Sequence, residues 1–181
     1  MKKLPAEIVA SALAVTTIFI TLLPYHLPPW AIFITWAGTF AAGGPTREVL
    51  RKIWPAMFVG NIFAFVIVLC FRFAAAQLAG PALIAAECVI LFVLNATMMS
   101  LGRLPLFSFI PGMFFGFASY FATYFGGFGP VPKDPAFALV AVMAMNGLGP
   151  IYAWLTARFG EHHHARHEEV QPHQMAQAKA T

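Results

Sequence analysis

The chain has 181 residues, of which 60% are hydrophobic and only 10% are charged. A soluble domain carries about a quarter charged residues, so this composition excludes a domain folded in water and indicates an integral membrane protein. The formal net charge of +4 does not indicate a nucleic-acid partner, because the lysines and arginines lie in predicted loops and tails.

Six apolar segments are separated by loops that contain proline, glycine or charged residues. Because a helix needs about 20 apolar residues to cross hydrocarbon, we predict transmembrane helices over residues 7–25, 30–44, 54–71, 81–101, 106–128 and 135–157. The first segment follows Lys2 and Lys3 but lacks a small-residue cleavage site, so it is predicted to be an uncleaved span. Residues 1–157 would then form an all-α membrane domain, and residues 158–181 a polar, histidine-rich tail.

The distribution of lysine and arginine predicts the orientation of the bundle. With the N-terminus inside, Arg72 and Lys133 are the only members of the 11 Lys and Arg that fall outside. Cytoplasmic loops carry the excess of these residues. We therefore expect both termini, and the histidine-rich tail, in the cytoplasm.

The two halves of the membrane domain, about residues 1–78 and 79–157, resemble each other. Glu7 matches Glu87 at a separation of 80 positions, Phe33 matches Phe114 at 81, and Asn61 matches Asn146 at 85. The Gly-Gly pair at 43–44 likewise matches the pair at 126–127. Since each half would hold three spans, an odd number, the halves are predicted to form an inverted-topology repeat, which is typical of transporters and channels.

The second and fifth spans occupy matching places in the two halves, and both are broken by glycine and proline. The second is short and ends at Gly43 and Gly44, and the fifth is predicted to be interrupted at Pro111 and Gly112. Such a pair of spans is the best sequence indication of a binding site in a membrane. The alternative is a proline kink that only shapes packing.

Several polar residues are predicted to lie in the membrane. Glu87 is ionisable and deep enough to suggest a proton carrier or a substrate contact, or else it reaches the outer interface and pairs with Arg72. Amides at depth either line a pore or hold helices together. The candidate solute path comprises Glu87, Asn61, Asn95 and Asn146, the four residues of the two breaks, and the hydroxyls of Thr97 and Ser108.

The tail contains a histidine cluster whose imidazoles suit transition metals. Weak metal binding by His162, His163, His164 and His167 is one interpretation, and a solvated tail is the other, which we favour. No nucleophile, zincin or phosphate-binding motif occurs. We therefore expect neither an enzyme nor a cofactor, although an intramembrane enzyme that uses Glu87 is a third interpretation.

Two stretches carry a resemblance to a known family: WAIFITWAGTFAAGG at 30–44 and SFIPGMFFGFASYFA at 108–122. They resemble the uncharacterised bacterial inner-membrane family known as domain of unknown function 1097, over roughly residues 7–157. The resemblance implies a small six-span protein of the bacterial inner membrane. It implies no activity and no functional residue.

Two functions follow from these expectations. The first is a channel or facilitator for a small uncharged solute, with its path between the inverted halves and with subunits assembled as a homo-oligomer. In architecture alone this resembles the amide, urea and formate channels, which form rings. The second is a membrane scaffold or accessory subunit that does not transport.

Overall fold

The computed structural model describes residues 3–161, and these fold as a bundle of six α-helices. A two-residue strand precedes the first helix and another follows the last. The six helices are α1 (Ala6–Thr21), α2 (Trp30–Ala41), α3 (Arg47–Ala75), α4 (Gly80–Leu101), α5 (Ile110–Phe125) and α6 (Pro135–Phe159). The all-α prediction is confirmed at the level of these helices.

Three helices, α3, α4 and α6, are long and apolar enough to cross a membrane. Helices α1 and α2 are apolar but shorter, and α5 has 16 residues. The structure therefore supports a membrane protein on the strength of three helices.

Side-chain caps define where α3 and α6 begin. Oγ1 of Thr46 accepts a hydrogen bond from the backbone N–H of Val49, and Oδ1 of Asp134 accepts from the N–H groups of Ala136 and Phe137. These oxygens satisfy N–H groups that have no partner within the helix. The cap at Thr46 explains why α3 begins seven residues before the apolar segment predicted at 54–71.

The predicted interruption of the fifth span lies elsewhere in the structure. A 3₁₀ turn (Pro105–Phe107) precedes α5, which begins at Ile110. Pro111 therefore lies in the first turn of α5, where a missing N–H removes no intrahelical hydrogen bond. The prediction of a break at Pro111 and Gly112 is wrong in position, because the boundary falls at residues 108–109.

The second span is short, as predicted. Helix α2 has 12 residues, a rise of about 18 Å. Gly43 and Gly44 follow it with φ angles of 109° and 91°. This left-handed backbone favours glycine and ends the helix.

Helices α3 and α5 run in the same direction. Gly112 lies against Cβ of Ala56 at the start of the contact, and Gly116 faces the backbone of Asn61 further along. The rings of Phe65 and Tyr120 meet at the other end, with centroids 6.1 Å apart. The residue numbers of the contacting pairs therefore increase together along the two helices, as in a parallel pair.

Helices α2 and α6 are the second parallel pair. Thr35 bonds the backbone of Asn146, and the ring of Trp36 contacts that of Tyr152 at 5.4 Å between centroids. Helix α1 runs against α6, because Leu4 pairs with Gly160 whereas Thr16 bonds Tyr152.

The remaining contacts indicate that successive helices alternate in direction. Met98 of α4 shares a buried cluster with Ala56, near the start of α3, whereas Glu87 shares a cavity with Val68, near its end. Helix α4 therefore runs against α3. Leu4–Pro5 and Gly160–Glu161 form a small parallel sheet, so the first and last described segments lie together at one end of the bundle.

Burial separates central helices from peripheral ones. Helices α3 and α6 carry most of the buried residues, whereas Met98 is the single buried residue of α4. The outer side of α4 is apolar and exposed, with Phe92 at 75% exposure. The polar tail was predicted from residue 158, but α6 continues to Phe159, and residues 162–181 lie outside the part that the structure describes.

Candidate functional site

Two amide side chains meet in the centre of the bundle. Asn61 of α3 and Asn146 of α6 are both 0% exposed. Nδ2 of Asn146 donates a hydrogen bond to Oδ1 of Asn61 over 3.2 Å. The two sequence-predicted amides that match each other across the predicted repeat are therefore in direct contact.

This contact satisfies only part of the hydrogen-bonding capacity of the pair. Nδ2 of Asn61 and Oδ1 of Asn146 are buried and have no hydrogen-bond partner among the described residues. A buried donor or acceptor without a partner costs about 1–3 kcal/mol. One free donor and one free acceptor thus lie on neighbouring amides.

A proline in α6 frees a backbone carbonyl at the same place. Pro150 lies inside α6 and has no N–H, so it cannot bond the carbonyl of Asn146 four residues earlier. Oγ1 of Thr35 donates to that carbonyl over 2.9 Å, the shortest of its three contacts, and it also lies 3.0 and 3.3 Å from the carbonyl oxygens of Ala31 and Ile32 in its own helix. A hydroxyl from α2 therefore takes the place of the missing intrahelical bond.

A second interhelical bond lies one residue further along α6. Nε1 of Trp54 donates to the carbonyl oxygen of Gly147 over 3.2 Å. With the amide pair, this bond joins α3 to α6 at two adjacent residues. The centre is therefore held by polar contacts from three helices.

Three glycines bring the helices around this centre to backbone contact. A Cβ on Gly60 would overlap the carbonyl of Met113, and one on Gly116 would overlap the carbonyl of Met57. A Cβ on Gly149 would lie 2.6 Å from the carbonyl oxygen of Ile32. Small residues allow such approach between membrane helices, and here they hold α5 against α3 and α2 against α6.

The other predicted path residues do not join this centre. Glu87, Asn95 and Thr97 lie on the peripheral helix α4. Asn95 has a buried Oδ1 without a partner in the described part of the chain, and Thr97 donates to the carbonyl of Val93 in its own helix.

The residues of the two breaks lie at the ends of helices. Ser108 donates to the carbonyl of Pro105 in the preceding turn, and Gly112 packs on Ala56. Gly43 lines cavities of about 380 and 490 Å³ at the end of α2, the second of which it shares with Gly44. The ten predicted residues therefore divide into a central pair and several separate places.

Sequence reasoning missed Thr35, Trp54 and the three glycines of the close contacts. One signal existed, since a proline four residues after Asn146 implies a freed carbonyl in need of a donor. Nothing in the sequence identified Thr35 as that donor.

A metal site is not formed by the described residues. Among residues 3–161, no group of three or more His, Cys, Asp or Glu side chains could hold a metal ion. The candidate ligands His162, His163, His164 and His167 lie outside this range.

Comparison with known protein families gives a match. The family model described as a protein of unknown function (DUF1097) matches residues 7–161. No curated protein and no solved structure matches the chain.

Proposed function

The chain belongs to the DUF1097 family, whose description names no activity, and from that premise we propose that it is a six-span channel or facilitator for a small uncharged solute. The proposed role is not enzymatic and requires no cofactor. The proposed location is the bacterial inner membrane, with both termini cytoplasmic.

Six passes are supported by the alternating helix directions and by the position of the first and last described segments. Leu4 pairs with Gly160, as expected when the number of passes is even. Helix α2, at about 18 Å, is shorter than a hydrocarbon core of about 30 Å. The residues that flank it, and local thinning of the bilayer, would complete that crossing.

An inverted repeat is supported by the two parallel helix pairs. In such a repeat α3 corresponds to α6, and α5 corresponds to α2, so the α3–α5 pair corresponds to the α6–α2 pair. Both pairs are packed through glycine. Gly60 lies against Met113 and Phe117, whereas Gly149 lies against Ile32 and Trp36. Positions 32 and 36 lie 81 before 113 and 117, the same separation as the matching phenylalanines 33 and 114.

The unsatisfied amide pair is the observation that carries the proposed function. Asn61 and Asn146 match across the repeat, so they would meet on its pseudo-two-fold axis, where inverted-repeat transporters bind their substrates. A solute that both donates and accepts hydrogen bonds would satisfy the free Nδ2 and the free Oδ1. The buried polar residues of the described part are all neutral, which favours an uncharged solute: Thr17, Thr35, Thr39, Asn61, Ser119, Thr123, Asn146 and Thr156.

The direct bond between Asn61 and Asn146 makes this conformation a closed one. Flux requires the α2–α6 pair to move relative to the α3–α5 pair, which would separate Asn61 from Asn146. The exposed apolar side of α4 would face lipid or a neighbouring subunit of a homo-oligomer. No charged side chain has to cross lipid in this movement.

Stopped-flow light scattering on proteoliposomes tests the proposal. The vesicles are challenged with urea, formamide, acetamide, glycerol, formate and ammonium. We expect flux of uncharged solutes above that of empty liposomes, lost in the double variant Asn61→Leu with Asn146→Leu and kept in Glu48→Gln, a surface control. Flat traces for all the uncharged solutes from folded, oriented protein would overturn the proposal.

The second candidate function is the non-transporting scaffold. The polar bonds of the centre favour it, because the amide pair, Thr35 and Trp54 all join one helix to another. Equal flux in the parent and in empty liposomes, with normal folding, would support this alternative.

A further inference from the structure

A cavity separate from the amide centre lies between the ends of three helices. It measures about 350 Å³ and is lined by residues of α3, α4 and α5. Its charged groups are Arg72 and Glu87, and its aromatic rings belong to Phe71, Tyr124 and Phe125. This volume lies in the range of small-molecule sites, about 300–1,000 Å³.

The two charges of this cavity do not neutralise each other. No ion pair within 4.0 Å joins Arg72 to Glu87, whereas the Lys52 and Glu48 side chains that line the cavity at the start of α3 pair at 2.7 Å. Both cavities hold one cation and one anion. Only the cavity at the end of α3 keeps them apart and available to a ligand.

The charges lie at different levels of the bundle. Arg72 is exposed and belongs to the last turn of α3, whereas Glu87 is half-buried and lies eight residues into α4. The cavity extends one helical turn inward from Arg72, to the buried Val68, a depth of about 6 Å. A ligand that enters from the end of the bundle therefore meets the guanidinium first and the carboxylate further in.

The inner part of the cavity suits an ammonium group. A carboxylate attracts a cation by charge, and aromatic faces attract it through their quadrupoles. The rings of Tyr124 and Phe125 both line the cavity and meet edge to face, at 72° with centroids 5.1 Å apart, so the cavity has an aromatic side. The guanidinium of Arg72 suits a carboxylate at the entrance.

We propose that this cavity is a binding site for a small soluble zwitterion, which places its ammonium between Glu87 and the aromatic rings and its carboxylate on Arg72. A phospholipid head group fits less well, because its phosphate would have to lie outside its ammonium while its acyl chains turn back into the bilayer. The proposal does not depend on the proposed channel.

Calorimetric titration of the full-length chain in phosphatidylglycerol nanodiscs tests this site, since those lipids carry no ammonium group. Glycine betaine is the probe, choline is its analogue without the carboxylate, and 3,3-dimethylbutanoate is its isostere without the positive charge. We expect betaine to bind more tightly than either. Equal binding of 3,3-dimethylbutanoate and betaine would overturn the proposal.

Single substitutions then assign the two halves of the ligand. Glu87→Gln should weaken betaine and choline by about tenfold or more, whereas Arg72→Gln should weaken betaine alone by a similar factor. Glu48→Gln is the matched control and should leave betaine affinity unchanged. Undetectable betaine binding, an unchanged affinity in folded Glu87→Gln, or binding of dihexanoylphosphatidylcholine in place of betaine would each overturn the assignment.

Discussion

Asn146 donates a hydrogen bond to Asn61 over 3.2 Å while each of the two amides keeps one atom without a described partner. The bond lies where the antiparallel helices α3 and α6 meet. Packing between apolar helices does not require two buried amides, since two leucines would fill a similar volume. The cost of the free donor and acceptor therefore argues for a role besides packing.

Substitutions of the amide pair should be strongly non-additive in stability. Asn146→Leu alone removes the one bond of Asn61 and should lower the free energy of unfolding by about 1–3 kcal/mol. Adding Asn61→Leu should restore most of that loss, because no unpaired amide then remains. A double-mutant cycle of SDS-induced unfolding in mixed micelles measures this coupling.

The double variant also separates structure from transport. If it is as stable as the parent and loses flux, the amides act on the solute. If the stability losses of Asn61→Leu and Asn146→Leu add up to the loss of the double variant, the result would contradict the assigned hydrogen bond, because residues that do not interact do not couple.

Gly116→Ala should destabilise the α3–α5 contact. The added methyl group would overlap the carbonyl of Met57, and relief by helix separation should cost about 1–3 kcal/mol. Gly147→Ala is the control, because a Cβ there meets only Cζ of Phe58, at 3.7 Å.

Thermal unfolding in detergent compares the two alanine variants. We expect a lower midpoint for Gly116→Ala, and a midpoint at or above that of the parent for Gly147→Ala, since alanine favours helix. Equal midpoints for the two would show that α3 and α5 are not in backbone contact.

Thr35→Val should lower stability more than Thr39→Val. Besides carbonyls of its own helix, the hydroxyl of Thr35 reaches the carbonyl of Asn146, which Pro150 leaves without its usual partner. Thr39 donates to the carbonyl of Thr35 in its own helix. The loss at position 35 should be about 0.6–2 kcal/mol, the range for hydrogen bonds between membrane helices. Unfolding of both variants, with Thr35→Ser as a variant that keeps the hydroxyl, measures the difference.

An equal loss in Thr35→Val and Thr39→Val would contradict the hydrogen bond from Thr35 to the carbonyl of Asn146. A further arm uses Pro150→Ala, which restores an N–H to α6. In that background Thr35→Val should cost less, because the carbonyl of Asn146 regains an intrahelical donor.

The sequence predicted the helical segments because their signals are local. Apolar runs end at glycine, proline or charge, and the short α2 follows from Gly43 and Gly44. The same reasoning misplaced the break at Pro111, because a proline in the first turn of a helix and one in its middle look alike in a single sequence. The 3₁₀ turn before Ile110 distinguishes them.

The candidate site could be predicted only in part. The apolar segments indicate how deep a residue lies in the membrane, but not whether it faces the centre of the bundle. Asn61 and Glu87 both lie within apolar segments, yet one is central and the other peripheral. Helix α4 is apolar on all sides, so its sequence does not show which face meets α3. The contact of Thr35 with Asn146 joins residues 111 positions apart and depends on the parallel packing of α2 on α6.

The two tryptophans Trp54 and Trp30 give a matched pair for the last prediction. Nε1 of Trp54 donates to the carbonyl of Gly147 over 3.2 Å, whereas Nε1 of Trp30 is buried without a partner in the described structure. Trp54→Phe should therefore lower the free energy of unfolding by about 0.6–2 kcal/mol beyond any loss in Trp30→Phe. Trp30→Phe removes a buried N–H that has no bond, so its lost packing is partly offset.

Chemical unfolding followed by circular dichroism compares these variants without relying on tryptophan fluorescence. If Trp54→Phe proved no more harmful than Trp30→Phe, the bond from Trp54 to Gly147 would contribute nothing to stability. That result would shift the polar contact between α3 and α6 to the amide pair alone. The amide pair would then be the polar contact that holds α3 and α6 in register, and Asn146→Leu would be expected to shift these two helices relative to each other.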